Sequence, residues 1–382
     1  MSNLSGKAAI VGVDESDEIG RIPGKSSLGH HMEASYNALE DAGLSIKDVD
    51  AIYCAATSPL DIAEYFGITP RHTDGTSVGG SSFVIHVAHA LEAIAAGTCE
   101  VALITHGEAG RAQRSHGGGD NGSTTAQYEA AYGIAAPPWQ YAMACTRYMH
   151  LFGEERTRQA MAEVAVATRK WANLNPKAFF YQEPMSFDQY HNSNWIVWPF
   201  HLPDCCLAID GGGACVVVSP EVARSCKKKP VWVLGAGEGH DHNMISQMPD
   251  LTRTIAYSSG RDAMRMAGVN HTDIDLAMIY DSFTYTVLTS LESLGFCGPG
   301  EAPDFVADQR TAPGGNFAMN TNGGGLSYCH TGMYGMYLLL EATRQLRGEA
   351  GERQVENCKL SLVNGTGGAL SSTGTLVLAA DS

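Results

Sequence analysis

A glycine-rich turn followed by a helical pattern occurs twice in this chain, once in each half, and few folds accommodate such a repeat. Gly79-Gly80-Ser81-Ser82 leads into a helix that stops at Gly97, and Gly323-Gly324-Gly325-Leu326-Ser327 leads into one that stops at Gly348. A second pair of segments repeats with them. Asp210-Gly211-Gly212-Gly213-Ala214-Cys215-Val216-Val217-Val218 is echoed by Thr366-Gly367-Gly368-Ala369 and the strand Thr375–Ala379. Repetition at this spacing implies a duplicated domain, with halves 1–230 and 231–382 meeting near Val231–Glu238. In each half the turn brings a helix N-terminus forward, where free N–H groups and the helix dipole favour an oxyanion or phosphate.

The first hundred residues alternate short apolar runs with helical patterns. Ala8–Val13, Val49–Ala55 and Val101–Thr105 read as strands, Leu28–Ala42 and Phe83–Ala96 as helices. Uniformly apolar strands between helices indicate an α/β protein whose sheet is covered on both faces. From His106 to about Pro199 the rhythm breaks, which marks a loop and helical insertion over about 106–200. It opens with Gly117-Gly118-Gly119-Asp120-Asn121-Gly122, continues as helices over Gln140–Leu151 and Arg156–Trp171, and gathers aromatics from Phe179 to Trp198. Such a segment reads as a substrate-covering lid. Its Pro137-Pro138-Trp139 and Phe179-Phe180-Tyr181 either line an apolar pocket or pack a small core of the insertion's own.

Charge narrows the partners. With 25 Lys and Arg against 41 Asp and Glu, the formal net charge is −16, which argues against nucleic acid. A small anion needs only a local patch and stays possible; the short run Lys227-Lys228-Lys229 reads first as a solvated turn. None of the ten cysteines forms a CxxC pair, so zinc-finger spacing is missing and they read as buried reduced thiols. Met1-Ser2-Asn3-Leu4 passes straight into a strand, leaving no room for a signal peptide, and no apolar run reaches the ~18 residues of a membrane span. The expectation is a cytoplasmic protein with no membrane and no nucleic-acid partner.

Five ordered motifs then point to one family. They are Lys170 through Asn175-Pro176-Lys177-Ala178; Leu202-Pro203-Asp204-Cys205-Cys206 through Asp210-Gly211; Tyr280-Asp281-Ser282-Phe283; Asn320 through Gly323-Gly324 to His330; and Val363-Asn364-Gly365-Thr366-Gly367-Gly368. In this order they resemble the thiolase superfamily, specifically its sterol-carrier-protein-type or lipid-transfer-protein branch, over nearly the whole chain. The resemblance implies a five-layered αβαβα fold, a coenzyme A thioester as substrate with no further cofactor or metal, and a homodimer. It also implies a small partner subunit with a zinc ribbon and an oligonucleotide-fold-like barrel.

The departures from that family bear on the chemistry. Its nucleophilic cysteine falls at Gly80 here and its acid/base cysteine near Gly365, so both thiols are missing. Tyr280 and His330 remain as groups able to move protons. Branch members without the cysteine include retro-aldolases of steroid side-chain degradation, which use a tyrosine in the segment matching Tyr280. They carry a second tyrosine at about the position of His330, so the histidine is a departure. Gly80, Ser81, Asp281, Ser282, Asn320, Gly324, Cys329 and Gly367 are the matching candidates for holding the oxyanion and substrate.

Three functions follow as alternatives. The leading one is retro-aldol cleavage of a bulky β-hydroxyacyl-CoA without an acyl-enzyme. The second is an acyltransferase using Cys329 or Ser81 as nucleophile, and the third a non-catalytic acyl-CoA or lipid carrier. Against the second, Ser81 and Ser82 read first as helix caps, and Cys329 as a side chain turned away from the site. His240 and His242 are spaced i, i+2 as metal ligands on a strand could be, but no third ligand accompanies them, so a polar loop is the plainer reading. His86 and His89 read as core or interface residues. Tyr280 is expected at the exit of the buried run Ile274–Ile279, and His330 at the N-terminus of a helix Met333–Leu346, as a neutral donor. Thr76–Val84 and Val101–Thr105 are the apolar runs expected to supply the dimer interface.

Overall fold

A computed structural model describes residues 4–113, 127–134 and 136–381; the glycine stretch Gly117–Gly122 lies outside them. Its main sheet has ten strands. They are β1 (Ala9–Glu15), β2 (Ala51–Cys54), β3 (His72–Asp74), β4 (Val101–Glu108) and β5 (Gly211–Val218), then β6 (Val231–His240), β7 (Leu276–Ile279), β8 (Ala318–Met319), β9 (Leu360–Gly367) and β10 (Ser372–Ala379). The order is β3-β2-β4-β5-β1-β6-β10-β9-β7-β8. From the centre outward, each half runs first, fifth, fourth, second, third, so the second five strands repeat the topology of the first five. The halves join where Ala9 and Ile10 pair antiparallel with Trp232 and Val231.

The principal helices are α1 (Ser27–Ala42), α2 (Pro59–Phe66), α3 (Ser82–Ala95), α4 (Pro137–Phe152), α5 (Glu154–Ala172), α6 (Ala256–Ala267), α7 (Thr284–Leu294) and α8 (Gly335–Arg347). Successive side chains on a strand point to opposite faces, and here each face has its own core. Ile10, Ile104, Val217, Val233, Met278, Val363 and Leu376 join α3 and α8 in a central cluster shared by both halves. Their neighbours Ala9, Val11, Leu103 and Val216 pack outward on α1 and α2. On the other half Ile279, Leu362 and Val377 pack outward on α6 and α7. The layers are therefore helix, sheet, helix, sheet, helix, as the family resemblance implied.

The duplication extends to individual contacts. A Cβ on Gly12 of β1 would lie 2.1 Å from the Ala38 carbonyl oxygen and 2.8 Å from Ala42 Cβ. A Cβ on Gly235 of β6 would lie 2.0 Å from the Ala263 oxygen and 3.0 Å from Ala267 Cβ. In both halves a glycine on the first strand lets the following helix rest directly on the sheet.

The insertion lies against the second half: Tyr148 of α4 and Met161 and Val164 of α5 share the α7 core. Its far end is pinned by charge. Arg344 Nη2 donates to Asp14 Oδ1 at 2.7 Å and Glu15 Oε2 at 2.6 Å, and Lys177 Nζ lies 3.0 Å from Glu15 Oε1. These cations hold the buried Glu15 carboxylate far below the usual range, although burial alone would raise it.

Three expectations need correction. β4 runs three residues beyond Thr105, to Glu108, because Gly213, Gly212 and Gly211 of β5 continue the ladder beside it. The insertion therefore begins after Glu108. The run Val101–Thr105 lies between β2 and β5 with both edges paired, so it offers no interface. Ser81 to Val84 open α3 in the buried centre, leaving β3 as the outer strand of the first half. Finally, the Gly324–Tyr328 segment forms its own π-helical turn, which delays the start of α8 to Gly335. No helix of the described residues is long and apolar enough to cross a membrane.

Overpacking at the strand–helix glycines sets a first test. Gly235→Ala should cost about 1–3 kcal/mol or more, read as a fall in Tm, and Gly12→Ala should cost a similar amount.

Candidate active site

Tyr280 is the residue after β7, at the C-terminal end of the parallel pair β7–β9, and only 4% of it is exposed. Its ring reaches across the molecular centre to α3. A Cβ on Gly80 would lie 2.2 Å from Tyr280 Cε2 and 2.4 Å from both Cζ and Oη. The phenol thus fills the place where a side chain at position 80 would stand. A second glycine, Gly335, lets the two central helices come together, since a Cβ there would fall 2.0 Å from Gly80 O.

Two groups hold the phenol oxygen. The Tyr334 amide, at the start of α8, donates to Oη at 2.9 Å, and His330 Nε2 lies 3.1 Å away with its ring perpendicular to the tyrosine. The Gly332 amide donates to His330 Nδ1 at 3.3 Å. An amide can only donate, so Nδ1 accepts and the neutral imidazole carries its proton on Nε2. Tyr280 Oη then receives two N–H donors and its own hydrogen is free to point toward a ligand. The expected position of His330 is corrected here: it lies five residues before α8, and Tyr334 brings the helix N-terminus to the phenol. Burial, aided by the nearby Cys206 thiol, pushes the phenol well above its usual range, and the Tyr334 amide pulls the other way.

A chain of amides fixes this arrangement. Tyr334 Oη donates to Asn322 Oδ1 at 2.8 Å, Asn322 Nδ2 donates to the Tyr337 carbonyl at 3.2 Å, and Asn175 Nδ2 donates to the Asn322 carbonyl at 2.9 Å. The Asn175-Pro176 motif of the insertion is therefore tied to the residue whose amide grips Tyr280.

The other sequence candidates divide. Asp281 is fully buried, and its carboxylate accepts the amides of Gly325 at 2.7 Å and Leu326 at 3.3 Å. Burial raises it to about 8 against the pull of those amides. Gly324 is required beside it, because a Cβ there would fall 2.0 Å from Asp281 Oδ2. Asn320 clamps the end of β7, accepting from Ile279 N and donating to Ile279 O, each at 2.8 Å. These three build the wall of the site; their side chains are occupied by backbone. Ser282 Oγ lies 2.9 Å from Thr286 Oγ1. Ser81 makes no cap bond and donates to Ser372 Oγ at 3.1 Å, while Ser82 donates to the Gly79 carbonyl at 2.6 Å. Gly367 rests on Val78 O, 1.8 Å from where its Cβ would be, and Gly365 on Ser81. Cys329 has no exposed surface, and burial pushes its thiol far above the range of a nucleophile.

His240 and His242 diverge. His240 Nδ1 lies 2.9 Å from Ser372 Oγ, while His242 lies 2.5 Å from Asp241 and 2.9 Å from the Ala369 carbonyl. His86 is buried on the Thr76 carbonyl, and His89 sits between Asp74 and Glu238, which raise it to about 10.

Sequence reasoning did not find Tyr141, Cys206 or the Tyr334 amide. Tyr141 of α4 donates to the Gly368 carbonyl at 2.9 Å and covers the site from the insertion side. Cys206, lifted to about 12 by burial, lies beside Tyr280 and at the inner wall of a cavity of about 650 Å³. Phe180, Leu202, Pro203, Leu207 and Leu326 give that cavity apolar walls, with Arg111 and Arg169 also lining it. Arg169 stacks 3.7 Å from the Phe180 ring centre and donates to Ser327 Oγ at 2.9 Å. Of the two aromatic runs in the insertion, Phe180 reaches the cavity, and Pro137-Pro138 opens α4 with Trp139 40% exposed.

What the arrangement offers is a phenol gripped by two N–H donors; burial raises the neighbouring Cys206 thiol out of the range of a nucleophile, and among the described residues no other thiol or hydroxyl is placed as one beside it. Gly80→Ala should drive the phenol out of position and lower the turnover rate by about 10² or more, the scale of a lost acid–base group. Trimming the ring as well, in Gly80→Ala/Tyr280→Ala, should recover part of the Tm lost in the single variant. Additive losses would show that the two residues do not share this space.

Comparison with known proteins identifies the family. Residues 237–380 match the family described as Thiolase C-terminal domain-like. The whole chain is 36% identical to a steroid side-chain-cleaving aldolase of Thermomonospora curvata, covering 100% of both. It is also 36% identical to the 17-hydroxy-3-oxo-4-pregnene-20-carboxyl-CoA lyase of Mycobacterium tuberculosis, over 90% of this chain and 92% of that one. Among solved structures, an Ltp2-ChsH2(DUF35) aldolase superposes with a TM-score of 0.90 at 36% identity, covering 99% of each chain. With the fold and these relatives in accord, the chain belongs to the thiolase superfamily, in its aldolase and lyase branch.

Proposed function

We propose that this enzyme cleaves a bulky β-hydroxyacyl-CoA by retro-aldol reaction, with Tyr280 as the proton-transfer group and His330 as its partner. The observation that carries this reading is the phenol of Tyr280 standing where Gly80 has no side chain, its oxygen held by the Tyr334 amide and His330 Nε2. Both donors stabilise negative charge on that oxygen, which is what a tyrosine needs in order to take a proton. In the reacting form Tyr280 is the phenolate held by those two donors, and it is restored at the end: the β-hydroxyl proton passes to its oxygen, the hydroxyl carbon becomes a carbonyl, and the Cα–Cβ electron pair moves into the thioester enolate. The enolate then takes a proton at Cα, so the net reaction moves one proton from oxygen to carbon. It requires no acyl-enzyme and no cofactor beyond the coenzyme A thioester.

The cavity beside Cys206 is of a size that suits a polycyclic acyl group, its apolar walls facing the rings. The names of the two 36% identical relatives make a steroid side chain the leading substrate class. The solved relative's name, an Ltp2-ChsH2(DUF35) aldolase, supports a partner subunit; the family resemblance carries the rest of the proposed active unit, a homodimer of this chain and a small partner with a zinc ribbon and an oligonucleotide-fold-like barrel, working in the cytoplasm.

Tyr280→Phe removes one oxygen and little volume. It should leave Tm nearly unchanged and lower kcat for β-hydroxyacyl-CoA cleavage by roughly 10²–10⁴. Near-normal cleavage by both Tyr280→Phe and His330→Ala would end the assignment. For the partner, the chain co-produced with a neighbouring small subunit should turn over faster than the chain alone; equal rates would remove the partner from the active unit.

A further inference from the structure

Two arginines in the wall of the cavity are held in place without an acid. Arg169 of α5 is half-buried; its Nε donates to Ser327 Oγ at 2.9 Å and its Nη1 to the Glu183 carbonyl at 3.2 Å. Arg111, just past β4, is exposed, and its Nη1 donates to the Ala208 carbonyl at 3.2 Å. Every acceptor they meet is neutral. Neither guanidinium forms an ion pair among the described residues, in a chain with 41 acids against 25 Lys and Arg. Arg169 Nη2, with Nε and Nη2 of Arg111, has no hydrogen-bond partner among those residues either.

Consecutive aromatic residues bring the two arginines to one opening. Arg111 lies 5.6 Å from the ring centre of Phe179 and Arg169 3.7 Å from that of Phe180. The two rings stand 5.0 Å apart and nearly perpendicular, at 83°. Their backbone is fixed in turn: the Phe179 and Phe180 amides donate to the carbonyls of Tyr328 and Ser327 at 3.0 and 3.2 Å. Beside them the Leu207 amide donates to the Gly325 carbonyl at 2.9 Å, so the segments that anchor the two guanidinium groups run together. Head groups held this way need little further ordering when a ligand arrives.

A half-buried cation facing neutral acceptors and apolar walls is costly unless something else meets it. Burial pushes Arg169 down to about 10, against the pull of Glu183, and leaves it charged at neutral pH. The inner wall of the same cavity is Cys206, beside Tyr280. An acyl group reacting at the phenol therefore shares this space with both arginines.

We propose that Arg111 and Arg169 bind an oxygen acceptor, a ketone or carboxylate oxygen, carried by the acyl group at the end remote from the thioester. It rests on the reading of this cavity as the acyl site. The planar guanidinium fork suits such an oxygen. A site built to hydrogen-bond an oxygen rejects the analogue that lacks it, because its donors are then left unpaired. The pair thus selects polycyclic acyl groups oxygenated at the far end over bare hydrocarbon ones.

Calorimetric binding tests this with three acyl-CoA thioesters that lack the β-hydroxyl and so are not cleaved. They share one four-ring skeleton whose far end carries a ketone, a carboxylate or hydrogen alone. Arg169→Met keeps an apolar stem over Phe180. It should weaken binding of an oxygenated thioester by about 10–100-fold, the scale of a hydrogen bond to a charged group, and leave the bare one unchanged. Arg169→Lys keeps the charge without the fork, so it should restore part of the loss for the carboxylate and little for the ketone. Equal losses for all three thioesters, or a matching loss for free CoA, would assign the arginines to the CoA phosphates or to the wall itself and overturn the proposal. No loss at all would do the same. If Arg169→Met does not fold, Arg111→Met decides by the same comparison. Should wild type bind none of the three, the acyl reading of the cavity falls and this inference falls with it. Should the arginine dependence appear while no β-hydroxyacyl-CoA is cleaved, only the retro-aldol assignment fails.

Discussion

The centre of this molecule depends on places where no Cβ stands between two backbones. Gly335 lets the N-termini of α3 and α8 meet at the Gly80 carbonyl, and Gly12 and Gly235 let the outer helices rest on their strands. Each contact is closer than any side chain allows, so the layer spacing is set by main chain against main chain. Interiors packed this way resist small displacements, because the neighbours have little room to yield. The reactive groups inherit that rigidity, since Tyr280 and Tyr334 are the residues adjoining these contacts.

Around that centre, buried polar groups act as braces. Asp281 straps the Gly324–Tyr328 turn, Asn320 closes the end of β7, and Asn322 links the insertion to Tyr334. Asp204 does the same beneath the insertion, accepting from Tyr190, Thr284 and the His201 amide at 2.6–2.7 Å. Such networks are costly when half satisfied and stiff when complete. The motif residues shared with thiolases are thus mostly supports, while the chemistry rests on the phenol and imidazole they enclose.

Much of this was legible in the sequence, and the failures have physical causes. Alternation and repeat spacing located the strands and the paired helices to within a few residues, since both depend on local period. Tyr280 and His330 could be paired because they occupy ordered motif positions. The π-helical turn ahead of α8 could not be read, because a glycine run is equally compatible with a helix start and with such a turn. The end of β4 was hidden by its glycine partner strand, where polar His106 and Glu108 continue a ladder that composition would have stopped. Tyr141, Cys206 and the Tyr334 amide reach the site only through tertiary packing across 139, 74 and 54 residues of separation from Tyr280, which no local pattern records.

The Tyr280 ring in the space beside Gly80 also has a historical consequence. A lineage passing between thiolase and aldolase chemistry must change two positions that exclude one another: a cysteine at 80 collides with the ring, and the ring cannot enter while a side chain stands at 80. Neither replacement works alone, so the path runs through an intermediate with glycine at 80 and something smaller than tyrosine at 280, lacking both chemistries. Once tyrosine has settled there, return must pass back through the same intermediate that lacks both chemistries. A gene in this state is shielded from drifting back into its ancestor's trade, and relatives that keep the cysteine should keep position 280 free of such a ring.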